Sequence, residues 1–148
     1  MLKFGLLGSG SWGTALAKLL TDNGHSINWW LRSDENIVSF KNRHHNPQYL
    51  RNAIFDTNLI HFSTDPGEVV AKSDVVLIAV PSAFVKDALK SLNKDVFKGK
   101  KILSAVKGIL PKQNLLLNEF LKNTFSTDLQ DYFTVLGPCH AEEVAQEK

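Results

Sequence analysis

The sequence predicts a doubly wound α/β domain, a parallel sheet with helices on both faces, and three observations carry that prediction. Six apolar runs of strand length alternate with stretches of helical spacing. One of them, Val75-Val76-Leu77-Ile78-Ala79-Val80, is apolar without alternation, as a strand covered on both faces requires. The third observation is a Gly-x-Gly-x-x-Gly turn, Gly8-Ser9-Gly10-Ser11-Trp12-Gly13, between the first apolar run and the first helical stretch.

The elements follow in order. A strand is predicted over residues 3–7, and after the glycine turn a helix places Trp12, Ala15, Leu16, Leu19 and Leu20 on one face before Asn23-Gly24 ends it. A second strand covers 26–31. The helix predicted over 33–41 carries Asp34 and Glu35 in its first turn, where the helix dipole favours negative charge. The stretch from His44 to Asn58 is long for a connection inside a domain and is expected to be a functional loop. A third strand at 59–62 leads into Asp65-Pro66-Gly67-Glu68, an N-cap acid followed by proline at the first helical position, which starts a helix through Val69 and Val70.

A strand at 74–80, a helix over 83–92, a strand at 101–106, a helix over 112–125 and a strand at 132–136 complete the alternation. Right-handed crossovers then give two βαβαβ halves with strand order 3-2-1-4-5-6, and ligands of such sheets bind at the carboxyl ends of the strands. A last helix begins at His140 and still reads as helix at Lys148, which predicts one domain over 1–148 with a second domain beyond it.

Composition narrows the function classes. Apolar residues make up 43% and charged residues 22% of the 148, which fits a globular domain and argues against a disordered chain. The net charge of +2 is spread without a basic block, so a nucleic-acid partner is not expected. No run approaches the roughly 20 apolar residues of a membrane span. Cys139 is the single cysteine, so no intrachain disulfide can form, and a reducing cytoplasm is the expected compartment.

The chemistry starts at the glycine turn. Gly8 permits a tight turn, Gly10 lets backbone approach a pyrophosphate, and Gly13 lets the helix pack closely on the strand, while the helix's first amides face the phosphates. That is the Rossmann fingerprint for a dinucleotide. Ser11 can donate to a phosphate, and Trp12 either lines the cofactor or closes the core. At the end of the second strand, where an acid would bind the ribose of NAD, stands Arg32, which can pair with the 2′-phosphate of NADP or stack on adenine. Asp34 and Glu35 are near enough to meet a ribose instead. Tyr49 either reaches over the adenine or staples its loop to the core.

Val80-Pro81-Ser82 ends the fourth strand, with Ser82 placed to cap the helix that follows. Val106-Lys107-Gly108 ends the fifth, and Lys107 there could polarise a substrate oxygen or meet a phosphate. Gly137-Pro138-Cys139-His140-Ala141 opens the last helix, whose free amides could dock an anionic substrate. His140 is as suited to capping or packing as to touching substrate. His44-His45 lacks ligand spacing elsewhere, so no metal is expected.

Together these blocks, with Asn46-Pro47-Gln48-Tyr49-Leu50 and Lys107-Gly108-Ile109, resemble the N-terminal domain of the bacterial NAD(P)-dependent glycerol-3-phosphate dehydrogenases across the whole chain. The resemblance implies an enzyme that interconverts sn-glycerol 3-phosphate and dihydroxyacetone phosphate with NAD or NADP, feeds glycerophospholipid synthesis, and works as a homodimer. It implies that Ser11, Trp12, Arg32, Lys107 and Ala141 contact the dinucleotide and that Lys107, Gly137 and Cys139 help hold the small-molecule substrate. Two departures stand out: the family usually carries Ser or Thr where this chain has Cys139, and often Pro-Gly where it has Arg51-Asn52. The proton-handling lysine of the family lies on a helical C-terminal domain beyond residue 148, so Lys107 is expected to assist, and this chain alone to be inactive. The alternatives are a related reductase acting on a hydroxyacid or ketoacid, and a non-catalytic dinucleotide-sensing module.

Overall fold

In the computed structural model, which describes residues 1–135 and 140–146, six strands form one parallel sheet in the order β3-β2-β1-β4-β5-β6, the order predicted. The strands are β1 (Phe4–Leu7), β2 (Ile27–Trp30), β3 (Ile60–Ser63), β4 (Val75–Ile78), β5 (Lys101–Ser104) and β6 (Tyr132–Thr134). The helices between and after them are α1 (Ser11–Asp22), α2 (Asp34–Arg43), α3 (Pro66–Ala71), α4 (Val85–Leu89), α5 (Leu117–Phe125) and α6 (Ala141–Ala145). β1 lies at the centre, with Phe4 paired to Ile27 on one side and Val75 on the other.

Successive strand residues point to opposite faces, and each face has its own core. Leu7, Val76 and Ile78 meet Val69 and Val70 of α3, Leu89 of α4 and Leu121 of α5. Leu6 and Leu77 join the opposite cluster, where Leu16 and Ala17 of α1 and Phe40 of α2 surround a fully buried Trp29. The Trp29 ring stands edge-on to Phe40 at 5.2 Å between centroids and packs on Phe55 and Phe62. Burial of apolar side chains on both faces explains why β4 reads as an unbroken apolar run.

Several boundaries differ from the sequence reading. The predicted helix 112–125 begins only at Leu117: the Leu110 amide donates to the Leu115 carbonyl and closes a turn, Asn114 takes a left-handed φ of 54°, and Glu119 accepts from the Leu116 amide to start the helix. The predicted helix 83–92 splits into a 3-10 turn, Ser82–Phe84, and α4. Ser82 caps neither, because Pro81 and Phe84 occupy the two N-cap positions and no side-chain capping bond is made. In α1 the expected apolar face is shifted: Leu19 is exposed, and the small residues Gly13, Ala15 and Ala17 are buried with Thr14, Leu16 and Thr21. Small side chains let this helix lie close to the sheet. The last helix runs over Ala141–Ala145 with Gln146 as its C-cap, and Lys148, to which the sequence still reads as helix, lies outside the described residues. Among the described residues no helix is long and apolar enough to cross a membrane.

The start signal of α3 is realised as read, and α2 begins with Asp34 and Glu35 in its first turn as read and with an N-cap, Ser33, that the sequence does not single out. Ser33 accepts from the Asn36 amide at the head of α2, and Asp65 accepts from the Gly67 amide at the head of α3 with Pro66 in the first turn. α3 is further tied to β3 by Glu68, whose carboxylate takes hydrogen bonds from Ser63, from Lys72 at 2.6 Å and from the His61 ring at 3.2 Å. These three partners, Lys72 first, hold the Glu68 carboxyl down at about 2, from an ordinary value of 4.5.

Candidate functional site

The topology reverses direction at β1, where chain order leads to β2 on one side and to β4 on the other, and a crevice opens there at the carboxyl ends of the strands. A cleft of about 530 Å³ lies between the heads of α1 and α6 and the ends of β4 and β5. A second hollow, of about 270 Å³, lies toward β2, and the two share Gly10, Val80 and Pro81. Gly10 therefore stands at the middle of one continuous crevice.

The three glycines play separable parts. Gly8 has φ of 128°, and a Cβ there would stand 2.6 Å from the Ala79 carbonyl oxygen. A Cβ on Gly13 would stand 2.6 Å from the Gly8 carbonyl oxygen, so this glycine allows α1 to cross the turn in close contact. A Cβ on Gly10 would meet nothing within 4 Å; it would project into open space. Gly10 is also the N-cap of α1 and offers no side-chain acceptor, which leaves the helix's first amides to a ligand. A close-packed turn with open space before its central residue fits a dinucleotide pyrophosphate.

The structure gathers most of the predicted residues along this crevice. Ser11, Trp12, Lys107 and Ala141 line the larger cleft, and Gly8, Arg32 and Tyr49 line the smaller hollow. Trp12 does both things weighed for it, lining the cleft while packing, half-buried, against the β2-side core. Tyr49 turns to the crevice and is exposed, so it does not staple its loop to the core. His140 makes no capping bond as the N-cap of α6 and lines the cleft. Asp34 and Glu35 are absent from the crevice wall; their helix presents Asn36 instead. His44 serves to end α2 in a left-handed conformation, its amide bonded to Phe40. Gly137 and Cys139 lie outside the described residues.

Sequence reasoning missed three contributors. Phe84 lines the smaller hollow with its ring 5.7 Å from the Arg32 guanidinium, so a cation and an aromatic face lie side by side. Trp29, read only as part of a strand, donates its indole N–H to the Gly8 carbonyl at 2.8 Å. Asn46 is almost fully buried and reaches the turn from the loop after α2, donating to the Ser9 carbonyl at 3.0 Å and to the Thr14 hydroxyl at 2.8 Å. The signal for Asn46 was a polar residue in a loop already suspected of function; its target, more than thirty residues away, leaves no local trace.

Comparison with known proteins adds to this geometry. The family described as NAD-dependent glycerol-3-phosphate dehydrogenase N-terminus matches residues 3–148. The glycerol-3-phosphate dehydrogenase (NAD(P)+) of Bacillus subtilis (strain 168) is 37% identical over 145 residues, covering 97% of this chain and 42% of the relative. That of Limosilactobacillus reuteri (strain DSM 20016) is 34% identical over 147 residues, covering 97% and 43%. A crystal structure of glycerol-3-phosphate dehydrogenase from Coxiella burnetii superposes with a TM-score of 0.83 at 26% identity, covering 98% of this chain and 43% of that one. The chain thus spans less than half the length of the curated relatives it matches.

Proposed function

The chain belongs to the NAD-dependent glycerol-3-phosphate dehydrogenase N-terminal family, and we propose that it is the cofactor-binding part of an enzyme interconverting sn-glycerol 3-phosphate and dihydroxyacetone phosphate. The observation that carries this reading is the glycine turn, tight at Gly8 and Gly13 and open at Gly10, set at the switch point of the sheet. Its cofactor is NAD or NADP. When bound, the nicotinamide gives or takes the hydride exchanged with the carbinol carbon of the substrate.

The chain's own residues bind, orient and exclude water. The first amides of α1 and the Ser11 hydroxyl hold the pyrophosphate, with the helix dipole favouring the negative charge. Arg32 meets a 2′-phosphate or stacks on the adenine beside Phe84, and Tyr49 closes that lip. Trp12, Val80 and Pro81 give the nicotinamide side an apolar wall. The Lys107 ammonium, exposed at the end of β5, stabilises negative charge on the substrate oxygen or phosphate. Ala141 at the head of α6 contacts the cofactor, and Gly137 and Cys139, which lie outside the described residues, help to hold substrate.

In the intact enzyme a helical second domain supplies the lysine that exchanges the hydroxyl proton, so residues 1–148 bind without turning over. The intact protein is a cytoplasmic homodimer whose product feeds glycerophospholipid synthesis. Calorimetric titration with NADH and NADPH, on the chain and on Arg32→Ala, tests the reading. Binding of either cofactor is expected, with selective loss of NADPH affinity in the variant if Arg32 meets the 2′-phosphate. A folded chain that binds neither at millimolar concentration overturns it.

A further inference from the structure

We propose that Asn46, acting with Trp29 and Thr14, is a positioning residue that gives the glycine turn its polarity toward an anion. The inference rests on reading the crevice as a dinucleotide site and goes further, to what makes the turn a receptor.

Three consecutive carbonyls of the turn are bonded on its protein side. The Gly8 oxygen accepts from the Trp29 indole at 2.8 Å, and the Ser9 oxygen from the Asn46 amide nitrogen at 3.0 Å. The Gly10 oxygen accepts from the Thr14 hydroxyl at 2.7 Å and from the Thr14 amide at 2.9 Å. No peptide bond among the described residues is cis, and in a trans peptide the N–H points opposite to the C=O. Turning these three oxygens inward therefore turns the amides of Ser9, Gly10 and Ser11 away from the protein's own acceptors. A carbonyl left free to rotate would present its negative end to a pyrophosphate and withdraw an N–H at the same time.

Asn46 is the hub of this arrangement. Its side-chain nitrogen donates to both the Ser9 carbonyl and the Thr14 hydroxyl, and the Thr14 hydroxyl in turn donates to the Gly10 carbonyl. Its side-chain oxygen accepts from the amides of Gln48 at 2.9 Å and Tyr49 at 3.2 Å, which shapes the lip where Tyr49 lines the hollow. Asparagine is required because a donor and an acceptor are used at once in a nearly buried place. An aspartate would keep the turn at Gln48 and Tyr49 but set a negative oxygen against the Ser9 carbonyl.

The test compares ADP-ribose, which carries the pyrophosphate, with adenosine, which does not, on the chain, on the near-isosteric variant Asn46→Asp and on Trp29→Phe, which keeps an aromatic ring but removes the indole N–H. Affinities are read by calorimetry for ADP-ribose and by protein NMR shifts for the weaker adenosine, with thermal melts to establish folding. A residue that merely stabilises the fold lowers both affinities together; a polarity device changes their ratio. In Asn46→Asp the ratio of ADP-ribose to adenosine affinity should fall at least tenfold, and in Trp29→Phe it should move the same way by at least threefold. If Asn46→Asp does not fold, Trp29→Phe decides on the same ratio. Wild-type chain that binds ADP-ribose, with both folded variants within twofold of its ratio, overturns the inference while leaving the site intact. Wild-type chain that fails to bind ADP-ribose overturns the reading of the site itself.

Discussion

Replacing Gly10 by alanine should abolish most of the cofactor affinity while leaving the fold untouched, a separation that few substitutions in a glycine turn allow. Gly10 has φ −75° and ψ −171°, an extended conformation that alanine adopts without strain. A Cβ there meets no protein atom within 4 Å, so there is no clash to relieve. On the folding side the expected change is neutral to slightly stabilising, by about 0.4–1 kcal/mol, because alanine has less freedom to lose than glycine. For a chain of this size that corresponds to a Tm raised by roughly 2–4 °C at most. On the binding side the methyl projects into the space a pyrophosphate must enter to reach the first amides of α1. Losing one amide-to-phosphate hydrogen bond costs about 1.5–3 kcal/mol, hence roughly a ten- to hundredfold weaker Kd. Thermal melting and titration with NADH or NADPH read the two effects separately. Gly10→Ala that binds as the wild type does would show that the phosphates do not lie before Gly10, and Gly10→Ala that unfolds would refute the geometry of the turn.

The other two glycines should behave in the opposite sense. Gly8→Ala combines a strained φ with a 2.6 Å approach to the Ala79 carbonyl, and Gly13→Ala a 2.6 Å approach to the Gly8 carbonyl, so both should lower the melting temperature, each by at least about 1–3 kcal/mol of stability. Ser82→Ala should leave the melting temperature unchanged to within about 0.5 kcal/mol, since the serine makes no capping bond; a larger loss on thermal denaturation would restore the cap. Glu68→Gln should destabilise the fold at neutral pH and progressively less in acid. Because the folded carboxyl titrates near 2 and its ordinary value is 4.5, its contribution is fully present above about 4.5 and fades as the pH falls toward 2. Melting curves of wild type and variant should therefore converge over that window; a constant gap from pH 7 to pH 2.5 would dissociate Glu68 from the effect.

What was legible in the sequence was what repeats or what is local. Strand order followed from alternation and handedness, and the unbroken run from Val75 to Val80 announced burial on both faces because successive residues there face different cores. The glycine turn was legible because its function depends on spacing within six residues. Ser82 misled because a hydroxyl after a strand has the composition of a cap, whereas the chain takes a 3-10 turn before α4 and moves the N-cap to Phe84. The late start of α5 was hidden for a related reason: Lys112 to Leu116 has helical composition, but a Leu110–Leu115 backbone pairing wins those residues for a turn. Leu19 points to solvent because α1 lies against the sheet through alanines, glycine and threonines, a face that a hydrophobicity pattern undervalues.

The residues that complete the site from behind were illegible because their partners are distant in sequence and backbone in nature. Trp29 contributes through one indole N–H on a ring otherwise explained by the aromatic core, and Asn46 through a side chain whose two ends serve different segments. Their common target is the turn, and that explains a feature of the architecture. On the proposed reading the phosphates are met by main-chain amides beside the Ser11 hydroxyl, and since only proline removes an amide, side chains tune these groups chiefly through their orientation. The orienting bonds come from β2 and from the loop after α2, two segments that also supply Arg32 and Tyr49 to the hollow on that side. Any shift of β2 against β1 would thus move Arg32, the proposed adenine contact, and release the Gly8 carbonyl together. On the proposed reading, losing the Trp29 indole bond should weaken the phosphate grip more than the adenine side, because the hollow there is also walled by Val80, Pro81 and Phe84, which follow β4.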